Sequence, residues 1–212
     1  MEEREPVTVD TPPTARGRAK TERRNALLSA AAGLFARHGF EGVSIEDLGS
    51  SVGISGPAVY RHFPSKQAVL ASLLVGVSEG LLVGGRTVVD DAGDDDAEAL
   101  RGLIRFHADF ALADPDVIRV QERDLAALSP EDRGSVRDLQ RRYVDLWVDV
   151  LAALSPGTDR AELRLRAQAT FGLLNSTPFS VRSVTPARTR ALLEEMALAA
   201  LRPPQRRPPR PS

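Results

Sequence analysis

VGISGPAVYRHFPSK, Val52 to Lys66, is the stretch on which the fold turns. Gly53, Gly56 and Pro57 look at first like helix breakers, and an aromatic and basic cluster, Tyr60, Arg61, His62 and Lys66, follows at once. Position decides between breaking and starting. Ser55 stands where a helix N-cap belongs, and Gly56 and Pro57 fall in a first turn whose amides lack intrahelical partners, so proline loses nothing there. Pro64 disfavours helical backbone before it, which predicts a short helix from Ser55 to no further than Phe63. Upstream, Ser44 with Asp47 three residues on resembles a capping box and opens another short helix that ends near Val52.

Two short helices joined by VGIS read as a helix-turn-helix: Gly53 allows the tight turn and Ile54 fills the angle between the helices. In that motif the N-terminal half of the second helix enters the major groove. The competing reading is an ordinary helical corner inside a bundle. Tyr60, Arg61, His62 and Lys66 shift the balance, because closely spaced donors suit phosphate.

Charge points the same way. The 212 residues carry a net charge of −1, but from Thr14 to Lys66 the cations Arg16, Arg18, Lys20, Arg23, Arg24, Arg37, Arg61 and Lys66 outnumber Glu22, Glu41, Glu46 and Asp47. A local positive excess on a near-neutral chain suggests one face for a polyanion. A hydrophobic content of 42% is enough for a sizeable core. The absence of cysteine excludes disulfides, thiolate metal sites and cysteine nucleophiles. No apolar run approaches the roughly 20 residues of a membrane span. The acidic start, MEEREPVTVD, lacks the pattern of a signal peptide, so a cytoplasmic location and no membrane partner are expected.

Outward from the motif, apolar residues recur at three and four positions and the fold class is all-α, with about nine helices. The first helix is expected over Thr21–His38, with Gly39 at its C-cap. The fourth should run from Lys66, capped by Ser65, to about Leu82. GGRTVVDDAGDDD, residues 84–96, reads as a flexible acidic loop. Further helices are expected at about Ala97–Ala113, Pro115–Leu128, Pro130–Leu154, Asp159–Asn175 and Pro186–Leu201. RPPQRRPPRPS, residues 202–212, reads as a disordered Pro/Arg tail.

GFEGVSIEDLGSSVGISGPAVYRHFPSKQAVLASLL, residues 39–74, resembles the DNA-binding domain of the TetR/AcrR family of transcriptional regulators. The resemblance covers roughly Lys20 to Leu74. It rests on Gly-Phe ending the first helix, Ser opening the second, Val-Gly-Ile-Ser in the turn, then Tyr-x-x-Phe and Ser-Lys. It implies a flexible basic arm over residues 1–19, a DNA-binding domain over 20–66 and a ligand-binding and dimerisation domain over 67–201. It also implies phosphate contact at Ser44, base-facing positions at Ser55, Gly56, Pro57 and Ala58, and backbone contacts from Tyr60, His62 and Lys66. Arg61 would reach a base edge or phosphate, and Phe63 would be core. Two departures stand out: Gly49 where alanine is usual, at a cost of about 1 kcal/mol in a helix, and Glu46 where some relatives are basic. ARGRAK, residues 15–20, resembles an arm that enters a minor groove; a solvated tail is the alternative.

By the same resemblance the protein is a homodimer on palindromic operator DNA, released by a small effector. Its last two helices would pair, with Leu163, Ala167, Phe171, Leu174, Leu192, Leu193 and Met196 as interface or core. The effector would be lined by Phe106, His107 and Phe110, by Tyr143 and Trp147 four residues apart, and by Phe171, although aromatics at such spacing also build plain cores. Arg119 and Arg123 share a helical face and could hold an anion; ion pairing with nearby acids is the alternative. QERDLAALSPEDRGSVRDLQRRYVDLWVDVL is similar to actinobacterial members that control lipid and acyl-CoA catabolism, which suggests a fatty acid or acyl-CoA effector. No enzyme, cofactor or metal site is expected: His38, His62 and His107 are the only histidines and none has ligand spacing. A lipid carrier without DNA binding, and an activator of the same family, are the alternatives.

Overall fold

A computed structural model describes residues 15–179 and 184–202. The described residues form α1 (Ala15–His38), α2 (Ile45–Ser51), α3 (Gly56–Val59), α4 (Lys66–Ala92), α5 (Asp96–Ala113), α6 (Pro115–Asp124), α7 (Pro130–Leu154), α8 (Arg160–Leu174) and α9 (Pro186–Leu201). Short 3-10 turns follow α6 at Leu125–Ala127 and α8 at Thr177–Phe179. The fold is all-α, as the periodicity predicts.

Two cores share one spine. Leu27, Ala31 and Phe35 of α1, Leu48 of α2, Val59 of α3 and Leu70, Leu73 and Leu74 of α4 close the first core. Val117 and Val120 of α6 and Val136 of α7 join it. The second core holds Leu82 of α4 with Leu103 and Ile104 of α5, Trp147 and Leu151 of α7, Leu163 and Ala167 of α8, and Leu193 and Ala197 of α9. One rigid helix, α4, thus feeds both, and α6 packs beneath the N-terminal unit. Contrary to the expectation that no apolar run approaches a membrane span, a window of α4 reaches that length and hydropathy; its buried leucines are committed to these protein cores.

Three expectations change. α1 begins at Ala15, so residues 15–19 are helix and not arm; residues 1–14 lie outside the described residues. The expected acidic loop is helix as far as Ala92, leaving a turn at Gly93, where φ is +57°. Its glycines serve close packing: a methyl group on Gly85 would come within 2.6 Å of the Tyr143 ring, and one on Gly84 within 2.3 Å of Phe106. Tertiary contact outweighs their poor helix propensity. Finally, Arg202 caps α9, while the rest of the Pro/Arg tail, 203–212, lies outside the described residues.

Candidate DNA interface and internal chamber

The helix-turn-helix is built by local bonds. Ser44 Oγ accepts from the Asp47 amide at 3.1 Å while the Asp47 carboxylate accepts from the Ser44 amide at 2.9 Å. The Ser44 hydroxyl donates to the same carboxylate at 2.7 Å. These bonds hold the Asp47 carboxyl below the usual carboxylate range, and they commit Ser44 to the cap first. Gly53 takes φ +71° at the turn. Gly49 is not a defect of α2, because the turn runs directly over it: an alanine methyl would lie 2.7 Å from the Ile54 carbonyl oxygen.

α3 is one turn long and passes into a tighter turn in which the amides of His62 and Phe63 reach the Val59 carbonyl. Ser55 is exposed and its hydroxyl makes no capping bond. Pro57, Tyr60 and Arg61 are exposed and Ala58 is half-buried, so these side chains share the outer surface of the motif. Among the described residues, the Arg61 side chain has no hydrogen bond or ion pair, and neither do the exposed side chains of Arg18, Lys20 and Arg23 of α1. Phe63 is buried, with the Arg24 guanidinium 4.8 Å above its ring.

Three of the proposed DNA contacts sit differently. Gly56 is buried, and a methyl group there would meet the Glu46 carboxylate at 3.0 Å; the residue lets α3 approach α2 and does not offer a base-facing surface. Lys66 is drawn inward: its Nζ donates to the Phe40 carbonyl at 2.8 Å and lies 4.4 Å above the Phe40 ring. It ties the end of α1 to the start of α4 before it meets any phosphate. His62 is half-buried, and its Nδ1 is buried without a hydrogen-bond partner in the structure.

Inside the C-terminal unit, His107, Phe110, Tyr143 and Phe171 line a chamber of about 190 Å³ between α4, α5, α6, α7 and α8. Trp147 is fully buried beside it, its ring 4.9 Å from Phe171 and 6.2 Å from His107. His107 Nδ1 lies 3.3 Å from the Tyr143 hydroxyl and Nε2 lies 3.1 Å from Asn175 Oδ1. A carbonyl oxygen only accepts, so with Asn175 oriented as assigned Nε2 carries the proton and Nδ1 accepts from Tyr143. Burial pushes the His107 imidazolium down to about 4, against a smaller opposing effect of Asn175, and pushes the Tyr143 hydroxyl up. Both are neutral at ordinary pH.

Phe106 does not reach this chamber; it faces Gly84 and lines a separate surface cleft with Asp91 and Asp109. The two arginines expected to hold an anion are turned elsewhere. Arg119 donates to the Pro178 carbonyl and lies 3.7 Å from Asp116. Arg123 donates to the carbonyls of Phe35 and Ala36 at the end of α1 and pairs with the buried Asp124 at 3.0 Å. Arg101 and Arg105 pair with Glu98 at 2.9 and 2.5 Å. Sequence reasoning missed Ser78, Gln121, Gln140 and Asn175 on the chamber wall. Each is a neutral polar residue beside an apolar stripe, a weak signal that was there to be read.

Comparison with known proteins agrees with this architecture. The model described as "Bacterial regulatory proteins, tetR family" matches residues 27–73, and "Tetracyclin repressor-like, C-terminal domain" matches residues 93–179. The chain belongs to the TetR family. It is 28% identical to the HTH-type transcriptional repressor KstR2 of Rhodococcus jostii over 156 residues, 72% of this chain and 76% of that one. A TetR-family regulator from Bordetella parapertussis superposes with a TM-score of 0.74 at 24% identity, covering 83% of this chain and 94% of the other. AibR, solved with isovaleryl coenzyme A and operator DNA, superposes with a TM-score of 0.66 at 18% identity, covering 82% and 97%. This TetR-family protein is a DNA-binding regulator and not an enzyme.

Proposed function

We propose that the protein is a ligand-responsive repressor that binds a palindromic operator as a homodimer in the cytoplasm and leaves it when a small apolar effector fills the chamber around His107. The observation that carries this reading is Arg123. It stands on α6, whose Ile118 and Gln121 line the chamber, and it bonds the last carbonyls of α1 in the DNA-binding unit. A ligand that moves α6 therefore acts on the helix-turn-helix through one named contact, and α4 supports it as the spine common to both cores.

The mechanism is a population shift. The DNA-bound state holds two recognition helices roughly 34 Å apart, on successive major-groove faces, and the liganded state favours another spacing. For the dimer, α8 and α9 leave Leu165 and Met196 exposed, whereas Leu163, Ala167, Leu174 and Leu193 are spent in the protomer's own core. Pairing of that surface would cover the exposed side chains. For DNA, Ser55, Pro57, Ala58, Tyr60 and Arg61 form the reading surface, with the α1 cations toward phosphate. The apolar wall suits an acyl chain; that AibR was solved with isovaleryl coenzyme A makes acyl-CoAs a reasonable first screen.

A gel-shift with the DNA upstream of its own gene tests the reading. Retardation that weakens with salt is expected, since phosphate contacts release counterions. No retardation at any salt would favour a lipid carrier, and loss of reporter expression in a deletion strain would favour an activator.

A further inference from the structure

The chamber has polar groups to spare, and among the described residues all of them are neutral. The His107 ring is occupied on both sides by Tyr143 and Asn175. By contrast, Gln121 on α6 and Gln140 on α7, both half-buried, line the chamber, and their carboxamides make no hydrogen bond among the described residues. Among the described residues, neither an acid nor a cation lines it. The two cations of α6, Arg119 and Arg123, are bonded to backbone carbonyls elsewhere.

A carboxylate entering such a space would lose its water without gaining a counter-charge, which is costly. A neutral group with both a donor and an acceptor would instead meet two carboxamides that supply both. We propose that the chamber selects an uncharged ligand: an apolar body against Phe110 and Phe171, and one neutral hydrogen-bonding group, of the amide, alcohol or ketone kind, held by Gln121 and Gln140. Free carboxylic acids are selected against. This rests on the reading of the chamber as the effector site and narrows it. Of the acyl effectors considered above, it admits the neutral acyl group and refuses the free fatty acid anion. Because Gln121 stands two residues before Arg123, the group that recognises the ligand and the group that holds α1 share the last turns of α6.

Trp147 is the only tryptophan of the chain and lies against the chamber, so its fluorescence reports occupancy. The experiment titrates the full-length protein at neutral pH with shape-matched pairs, 3-phenylpropanamide against 3-phenylpropanoate and octanamide against octanoate. At least one amide is expected to bind about tenfold or more tighter than its acid. Gln121→Leu with Gln140→Leu should erase that preference. Gln121→Lys, a gain that misfolding cannot mimic, should turn it toward the acid. Equal or tighter binding of the acids, no amide binding up to its solubility, or an unchanged preference in the double variant overturns the proposal. Release of promoter DNA is measured alongside. Amide binding without release leaves the ligand class standing and removes the regulatory reading; acid binding with release does the reverse.

Discussion

The outer face of the helix-turn-helix and the interior of the C-terminal unit handle charge in opposite ways. In the N-terminal unit, the side chains of Arg61 and of Arg18, Lys20 and Arg23 on α1 stand in solvent with no side-chain partner among the described residues. Along α5 to α9, arginine after arginine is neutralised: Arg101 and Arg105 by Glu98, Arg160 by Asp149, Arg164 by Asp145, Arg166 by Glu162 and Arg190 by Asp109. Exposed pairs of this kind add little stability, but they cancel field. The lesson is that a net charge near zero hides exposed cations without side-chain partners in the N-terminal unit and a chamber that, among the described residues, no charged side chain lines.

The strongest way to break this comparison is to put charge into the chamber. His107 ordinarily titrates near 6.5 and is held to about 4 by burial. The folded state then binds fewer protons than the unfolded chain below pH 6.5, so stability is unaffected above that value and falls as pH drops toward about 4. The expected loss is roughly 3 kcal/mol, read as a falling Tm over that window. His107→Gln should flatten the curve, and a wild-type Tm that does not move between the two values would show that the interior tolerates charge.

On the outer face, Arg61→Ala should cost about 1–3 kcal/mol on the best operator and flatten sequence preference, measured by competition among single-base operator variants. An unchanged preference would assign Arg61 to phosphate. Gly49→Ala should destabilise by about 1–3 kcal/mol through overpacking against the turn. Gly76→Ala on α4, where the added methyl meets nothing within 4 Å, should stabilise by about 1 kcal/mol or less. Denaturant midpoints compare the two. The smallest change expected in DNA binding comes from Lys66→Ala: the salt slope stays near wild type, while Tm falls because a charge-assisted bond worth about 1.5–3 kcal/mol is lost. A slope lowered by about one would return Lys66 to the phosphate.

Most of the helix-turn-helix was legible in its sequence because it is local. Ser44 with Asp47, Gly53, Ser55 with Pro57, and Pro64 each act within a few residues, and the backbone follows them. What stayed hidden there depended on contact across the chain: Lys66 looks like a phosphate ligand until Phe40 is folded beside it, and Gly49 looks costly until Ile54 passes over it. The chamber is the opposite case. His107, Phe110, Tyr143 and Phe171 were legible as aromatic spacing, but Gln121, Gln140 and Asn175 come together only when five helices pack. Arg119 and Arg123 shared a face, as their spacing required, and spent their hydrogen bonds on partners far along the chain. Glycines 84 and 85 misled for the same reason, since their neighbours are rings on α5 and α7.

Chamber and operator are proposed to compete through α6. This competition is tested most directly by the affinity for promoter DNA, followed by fluorescence anisotropy, with and without a chamber-binding amide, in wild type and in Arg123→Met. The amide should weaken DNA binding of the wild type several-fold, while the variant still binds the amide by Trp147 fluorescence but transmits little of it to DNA. The same weakening in both proteins would contradict the role of Arg123, and none in the wild type would contradict the competition itself.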